Sequence, residues 1–134
     1  RAAARIEGQD MVLRIEDGAD LQRRAQVIDR LRKKSLEVRL EPLLARWSAA
    51  FGVQPRTVAL RRMKSRWGSC QPQTGKLCFN LALSERDPKY LNYVVAHEFA
   101  HFFHPDHGPD FHALLETHLP EERRLRRELN RSDA

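Results

Sequence analysis

Cysteine is scarce in this chain: Cys70 and Cys78 are the only two among 134 residues. Two thiols that far apart supply no disulfide framework, and they lack the paired spacing of a cysteine zinc site. Both are expected as reduced thiols on the two arms of a hairpin. Long apolar runs are missing too. No stretch approaches the ~18 consecutive apolar residues of a membrane helix, and Arg1 to Asp10 lack the apolar core of a secretory signal. A soluble, cytoplasmic protein without a membrane partner is the expectation. Low-complexity linkers and internal repeats are also absent, so residues 1 to 134 are expected to form one domain. A hydrophobic content of 41% is enough for that domain to bury a core without staples.

The charge is uneven. The chain carries a formal +6, but residues 23 to 66 hold thirteen Lys/Arg against three Asp/Glu, leaving the remainder net acidic. Such a segment can attract DNA or an acidic partner. It can equally be the solvated face of a helix whose arginine stems cover apolar surface, which is the favoured reading.

The periodicities predict an α+β order. Asp10 to Ile15 alternates as a short strand, and Asp17-Gly18 reads as a turn before a helix cap at Asp20. Apolar residues then recur at helical spacing from Leu21 to Phe51, with Gly52 as a stop and Pro42 expected to bend or split the helix. Thr57 to Met63 and Lys76 to Leu83 read as strands of an antiparallel hairpin around a turn at Gln71 to Gly75. Asp87-Pro88 combines an N-cap with proline at the first helical position, opening a helix to about Phe103. Pro109 to His118 and Glu121 to Arg131 are two further helices, the last anchored by Leu125 and Leu129.

The chemistry lies in His97-Glu98-Phe99-Ala100-His101. On a helix, imidazoles four residues apart share a face one turn apart and can reach a single metal ion. Leu91, Val94, Val95, Phe99 and Phe102 mark the opposite, apolar face, so neither histidine is needed in the core. A catalytic zinc site takes three protein ligands and leaves the fourth position open. Of the downstream candidates, His104 is too close along the same helix end, whereas His107 follows the Pro105 break, where the chain can turn back. His107 is therefore selected, ahead of Glu116 on the following helix and of His112, which reads as satisfied locally.

Arg66-Trp67-Gly68-Ser69-Cys70, Asn80, Leu83, Tyr93 through His101, His107 and Phe111 together resemble the YgjP-like metallopeptidase family, relatives of SprT-like zinc proteases. The resemblance spans about residues 55 to 120. It implies a zincin-like fold, zinc on His97, His101 and His107, and Glu98 as the catalytic glutamate.

The expected reaction is peptide-bond hydrolysis by metal-activated water, with Glu98 taking the proton and passing it to the leaving amine. Related zincins bind an extended peptide against a sheet edge, so the sheet of residues 57 to 83 is the expected docking edge. Tyr90, Tyr93 and His112 are candidates for stabilising the oxyanion, although packing is the favoured role for each. The Arg66 to Cys70 block is read as structural, with Trp67 a core anchor and Gly68 a point of close approach. Cys70 as a nucleophile is the weaker alternative. The rival functions are a DNA-associated SprT-like protease or basic nucleic-acid module with secondary zinc, and a purely structural zinc domain. Glu98 argues against the last, since a stabilising site has no need of a carboxylate beside its ligand.

Overall fold

The computed structural model describes the backbone of residues 2–7, 10–15 and 21–131, and side chains from 21 to 131. The expected Asp17-Gly18 turn and Asp20 cap lie outside the described residues. Two antiparallel strands, β1 (Ala2–Glu7) and β2 (Asp10–Ile15), precede a long helix, α1 (Leu21–Phe51). β1 was not anticipated.

α1 buries Leu36, Leu40, Trp47 and Phe51 in one stripe, at intervals of one or two helical turns, and Val27 on the other side of the helix nearer its start. Pro42 does not split it. The proline is exposed, and the carbonyl that loses its donor belongs to Val38, whose side chain is also exposed. Packing by Leu36 and Leu40 on one side and Trp47 on the other holds the helix through the break, against an intrinsic cost of about 3 kcal/mol. Gly52 ends it at φ 70, where its N–H and that of Val53 both return to the Ser48 carbonyl. This left-handed cap is the conformation glycine adopts without a Cβ penalty.

Three strands form the second sheet: β3 (Thr57–Arg61), β4 (Gly68–Gln71) and β5 (Lys76–Asn80), in the order β3-β5-β4. The antiparallel pair is β4–β5, closed by the Gln71–Gly75 turn, while β3 runs parallel to β5. The expected hairpin between the Thr57 and Lys76 segments is thus corrected. The 62–67 connection carries the chain past a gap that β5 later fills, so sequence neighbours β3 and β4 become opposite edges. Being central, β5 buries Leu77, Cys78, Phe79 and Asn80. It stops at Asn80, short of the expected Leu83, and a short 3₁₀ helix follows at Leu81–Glu85. In this register Cys70 opposes Leu77 and Cys78 opposes Ser69, so the thiols project from opposite faces; both are free.

α2 (Pro88–Ala100) begins as expected, with the Asp87 carboxylate accepting from the Lys89 N–H at 3.0 Å. Its apolar face packs on α1: Trp47 Nε1 donates to Asn92 Oδ1 at 2.9 Å, and Phe51 stacks on Phe99 at 5.9 Å. α3 (Pro109–His118) and α4 (Glu122–Arg131) complete the order, and Phe111, Leu115, Leu125 and Leu129 join the same core. The result is an α+β arrangement with a helix carrying the histidines laid against a small sheet.

Candidate metal centre

His97 and His101 lie one turn apart at the C-terminal end of α2, as their spacing dictates. Beyond Ala100 the helix relaxes into turns, and Pro105 and Gly108 bring His107 back over its own chain. The three Nε2 atoms converge, at 3.2 Å between His97 and His101, 3.1 Å between His97 and His107, and 3.0 Å between His101 and His107. Donors about 2.0–2.1 Å from a tetrahedral zinc stand roughly 3.3–3.4 Å apart, so the triangle is close to the size such an ion requires.

The outer nitrogens are held. His101 Nδ1 lies 2.9 Å from the His104 carbonyl, which can only accept; the proton is therefore on Nδ1 and the Nε2 lone pair faces inward. His97 Nδ1 lies 3.3 Å from the Tyr93 hydroxyl, one turn back on α2. Fully buried Phe111 backs all three rings at centroid distances of 4.6–4.9 Å. Burial pushes the His97 imidazole down to about 3, helped by the charges of His101 and His107, and it lowers His101 and His107 as well. Three neutral nitrogens aimed at one point fit a zinc ion.

The other candidate ligands are occupied elsewhere. Glu116 accepts from Arg123 Nε at 2.9 Å, and His112 Nδ1 sits 2.7 Å from the buried Glu122 carboxylate. His104 contributes its backbone carbonyl rather than its ring. Tyr90 donates to Glu128 at 3.2 Å.

Glu98, the next residue on α2 after His97, packs its side chain against Gly68 of β4 and lines the same cleft as the three histidines. It is 5% exposed, and burial raises its carboxyl to about 8, opposed by the positive charge of Arg66. The close neighbour is Gly68, where a Cβ would stand 3.1 Å from Glu98 Cγ and Oε2.

The Arg66 to Cys70 block has the structural features expected of it, with Gly68 a point of close approach and Trp67 packed against the core, and it also faces the site. Residues 65 to 70 form one wall of a cleft of about 450 Å³ whose floor is His97, Glu98, His101 and His107. Trp67 packs against the core from that wall, half-buried under the Arg86 guanidinium at 5.3 Å. Asn80 positions the block: its Nδ2 donates to the Met63 and Arg66 carbonyls at 3.0 and 2.8 Å, and its Oδ1 accepts from Ala82 N at 3.0 Å. The Cys70 thiol lies in the cleft but burial and Glu98 push it up to about 12, which keeps it from acting as a thiolate nucleophile. Arg126 and Asn130 of α4 line the same cleft. Nothing in the sequence marked either, because Arg126 is one arginine among several in a charged helix. Tyr93 had a signal in its four-residue spacing from His97.

Among curated proteins no match was found. Among solved structures the chain is similar to the metallopeptidase zymogen jannalysin of Methanocaldococcus jannaschii, with a TM-score of 0.60 and 19% identity over 70% of this chain and 96% of that one. This likeness concerns the fold. The family model described as YgjP-like, metallopeptidase domain, matches residues 1–132, and it does so on a chain whose own histidines close a zinc site beside a buried glutamate. The chain belongs to the YgjP-like metallopeptidases, zinc-dependent hydrolases of peptide bonds.

Proposed function

We propose that Glu98 is the general base of this metallopeptidase, that His97, His101 and His107 hold its zinc, and that the substrate is an extended peptide laid along β4. Zinc bound there supplies the positive charge that polarises a carbonyl and lowers the pKa of a water to about 7. Glu98 takes the proton of the attacking water and delivers it to the amine nitrogen as the C–N bond breaks. Burial raises the Glu98 carboxyl to about 8 without metal, and a zinc dication held beside it would lower it again, leaving a carboxylate that can take the proton. The observation that carries the reading is the buried Glu98 carboxylate beside, and not within, the triangle of three nitrogens.

β4 supports the substrate reading. It is an edge strand beside α2, with one row of backbone donors and acceptors facing away from β5, available for an added strand. One zincin-like domain over residues 1–134 accounts for the single family match and the continuous core. A cytoplasmic location agrees with two free thiols.

The proposal extends to an acidic partner, DNA first, on the basic segment. Arg61, Arg62, Lys64 and Arg66 line a second hollow of about 380 Å³ that shares Ser65 and Arg66 with the cleft. Part of the charge is already neutralised, since Arg62 pairs with Asp29 and Arg32 with Glu85. Salt-dependent affinity for duplex DNA checks this; no binding at low salt removes it.

The central test is metal analysis with two variants. Wild type should carry one zinc per chain, and His97→Ala should lose it. Glu98→Gln should keep fold and zinc while cleavage falls by about 10²–10⁴. Unchanged cleavage refutes the assignment.

A further inference from the structure

A neutral histidine that gives one ring nitrogen to a metal carries its proton on the other, and the group that accepts this proton fixes both the tautomer and the orientation of the ring. His101 and His97 meet this requirement with different partners. For His101 the partner is the His104 carbonyl, a backbone group that can only accept. For His97 it is the Tyr93 hydroxyl, 3.3 Å from Nδ1, which can accept or donate. Among the described residues no other group stands within hydrogen-bond distance of His97 Nδ1, so the outward hydrogen bond of this ring depends on one phenol.

The phenol is built into place. A spacing of four residues puts Tyr93 one turn before His97 on the same face of α2, and the two rings meet edge to face with centroids 5.6 Å apart. Tyr93 is 5% exposed and packed within the core, which holds its ring and keeps the hydroxyl at the imidazole. Phe111 of α3 supports the same imidazole from another side, with centroids 4.9 Å apart. The other tyrosine of α2 is used differently: Tyr90 donates to Glu128 at 3.2 Å and does not line the cleft. Of the side chains first considered for the oxyanion, His112 is likewise committed, to Glu122. Tyr93 does line the cleft, but its hydroxyl meets His97 on the ring edge away from the nitrogen triangle.

We infer that Tyr93 is a positioning residue whose hydroxyl oxygen accepts the Nδ1 proton of His97 and thereby presents the Nε2 lone pair to the metal. The inference rests on the reading of His97 as a zinc ligand. Its direction follows from counting protons. A metal on Nε2 needs the lone pair there, a neutral imidazole then has its single proton on Nδ1, and an N–H facing Tyr93 makes the phenol oxygen the acceptor. Phenylalanine at this position keeps the ring and its packing but leaves the Nδ1–H against carbon. An unmatched donor favours a rotated ring, or the tautomer with its proton on Nε2, and either one withdraws the lone pair from the metal.

The test measures zinc affinity by competition with a chromophoric chelator, and the His97 tautomer by long-range nitrogen–proton NMR of the zinc-loaded protein. In wild type the His97 proton should sit on Nδ1. Tyr93→Phe should weaken zinc binding by about 10–100-fold, the range for loss of a metal ligand's outer partner. Tyr90→Phe removes the other hydroxyl of α2 and should leave zinc affinity at the wild-type value. Thermal melts of both variants with metal chelated separate fold from site, because a role in packing alone lowers the melting temperature without weakening zinc binding by the folded protein. Native zinc affinity in Tyr93→Phe, an equal loss in Tyr90→Phe, or a His97 proton on Nε2 in the loaded wild type each overturn the inference, and the last needs no variant to fold. Failure of the metal reading is told apart from these: it is a wild type that binds no zinc, whereas zinc held by wild type and lost in His97→Ala upholds that reading whatever Tyr93→Phe does.

Discussion

Gly68→Ala isolates the position of the Glu98 carboxylate without altering any ionisable group. A Cβ at residue 68 meets Glu98 Cγ, Glu98 Oε2 and the Cys78 carbonyl oxygen, each at 3.1 Å, where ordinary contacts begin at 3.4 Å. The Cys78 oxygen belongs to the backbone of central β5 and cannot retreat, so the glutamate must give by a few tenths of an ångström. Gly68 has no positive φ, so alanine brings no backbone strain and stiffens the unfolded chain, a gain of about 0.4–1 kcal/mol. Crowding costs about 1–3 kcal/mol, which leaves a net loss of about 1 kcal/mol. A misplacement of 1 Å can lower a rate about 10²-fold, so a shift of roughly a third to a half of that predicts kcat lower by about tenfold. Zinc content should hold, and KM should change little. Fluorogenic peptide turnover, metal analysis and thermal melting measure these quantities. Gly108→Ala is the control, because nothing lies within 4 Å of a Cβ there. Wild-type kcat in Gly68→Ala, or an equal loss in Gly108→Ala, refutes the reasoning.

The metal-free protein should be most stable near pH 6.5. His97 titrates at about 3 when folded and at 6.5 otherwise, and His101 and His107 shift the same way, so the unfolded chain binds more protons below pH 6.5 and stability falls toward pH 3. Glu98 is raised from 4.5 to about 8, so its contribution is full below pH 4.5 and is lost as pH rises through 8. Between pH 4.5 and 6.5 three histidines outweigh one glutamate, which puts the maximum near the upper end of that range. Thermal melts of chelated protein should therefore decline from pH 6.5 to 8, and Glu98→Gln should abolish that decline; its persistence would contradict the assignment. Asn80→Ala removes three hydrogen bonds and strands the Met63 and Arg66 carbonyls, a loss of about 2–4 kcal/mol readable by urea denaturation. Phe111→Ala opens a cavity behind all three imidazoles; it should cost about 3–5 kcal/mol and weaken zinc affinity, and a variant with native affinity would show that the ring does not orient the ligands.

Local signals carried much of this architecture. The Asp87-Pro88 start, the apolar period of α2 and the Gly108-Pro109 junction are decided within a turn or two of chain, so the helix starts and the shared face of His97 and His101 were legible, whereas α2 ends at Ala100 and not at the expected Phe103. His107 was legible because the Pro105 break leaves the chain few directions. Strand order was not: hydrophobic alternation marks a strand but carries no information about its partner or direction, and β5 had to enter between β3 and β4 to make their pairing parallel on one side and antiparallel on the other. The same insertion laid β4 across α2, bringing Gly68 against Glu98, thirty positions away in the chain. Arg126 reached the cleft through the docking of α4. The chain's local chemistry thus determined which imidazoles converge as a candidate metal site, while long-range packing alone decided what surrounds that site, since side chains distant in sequence meet only once the sheet and helices have closed on a common core.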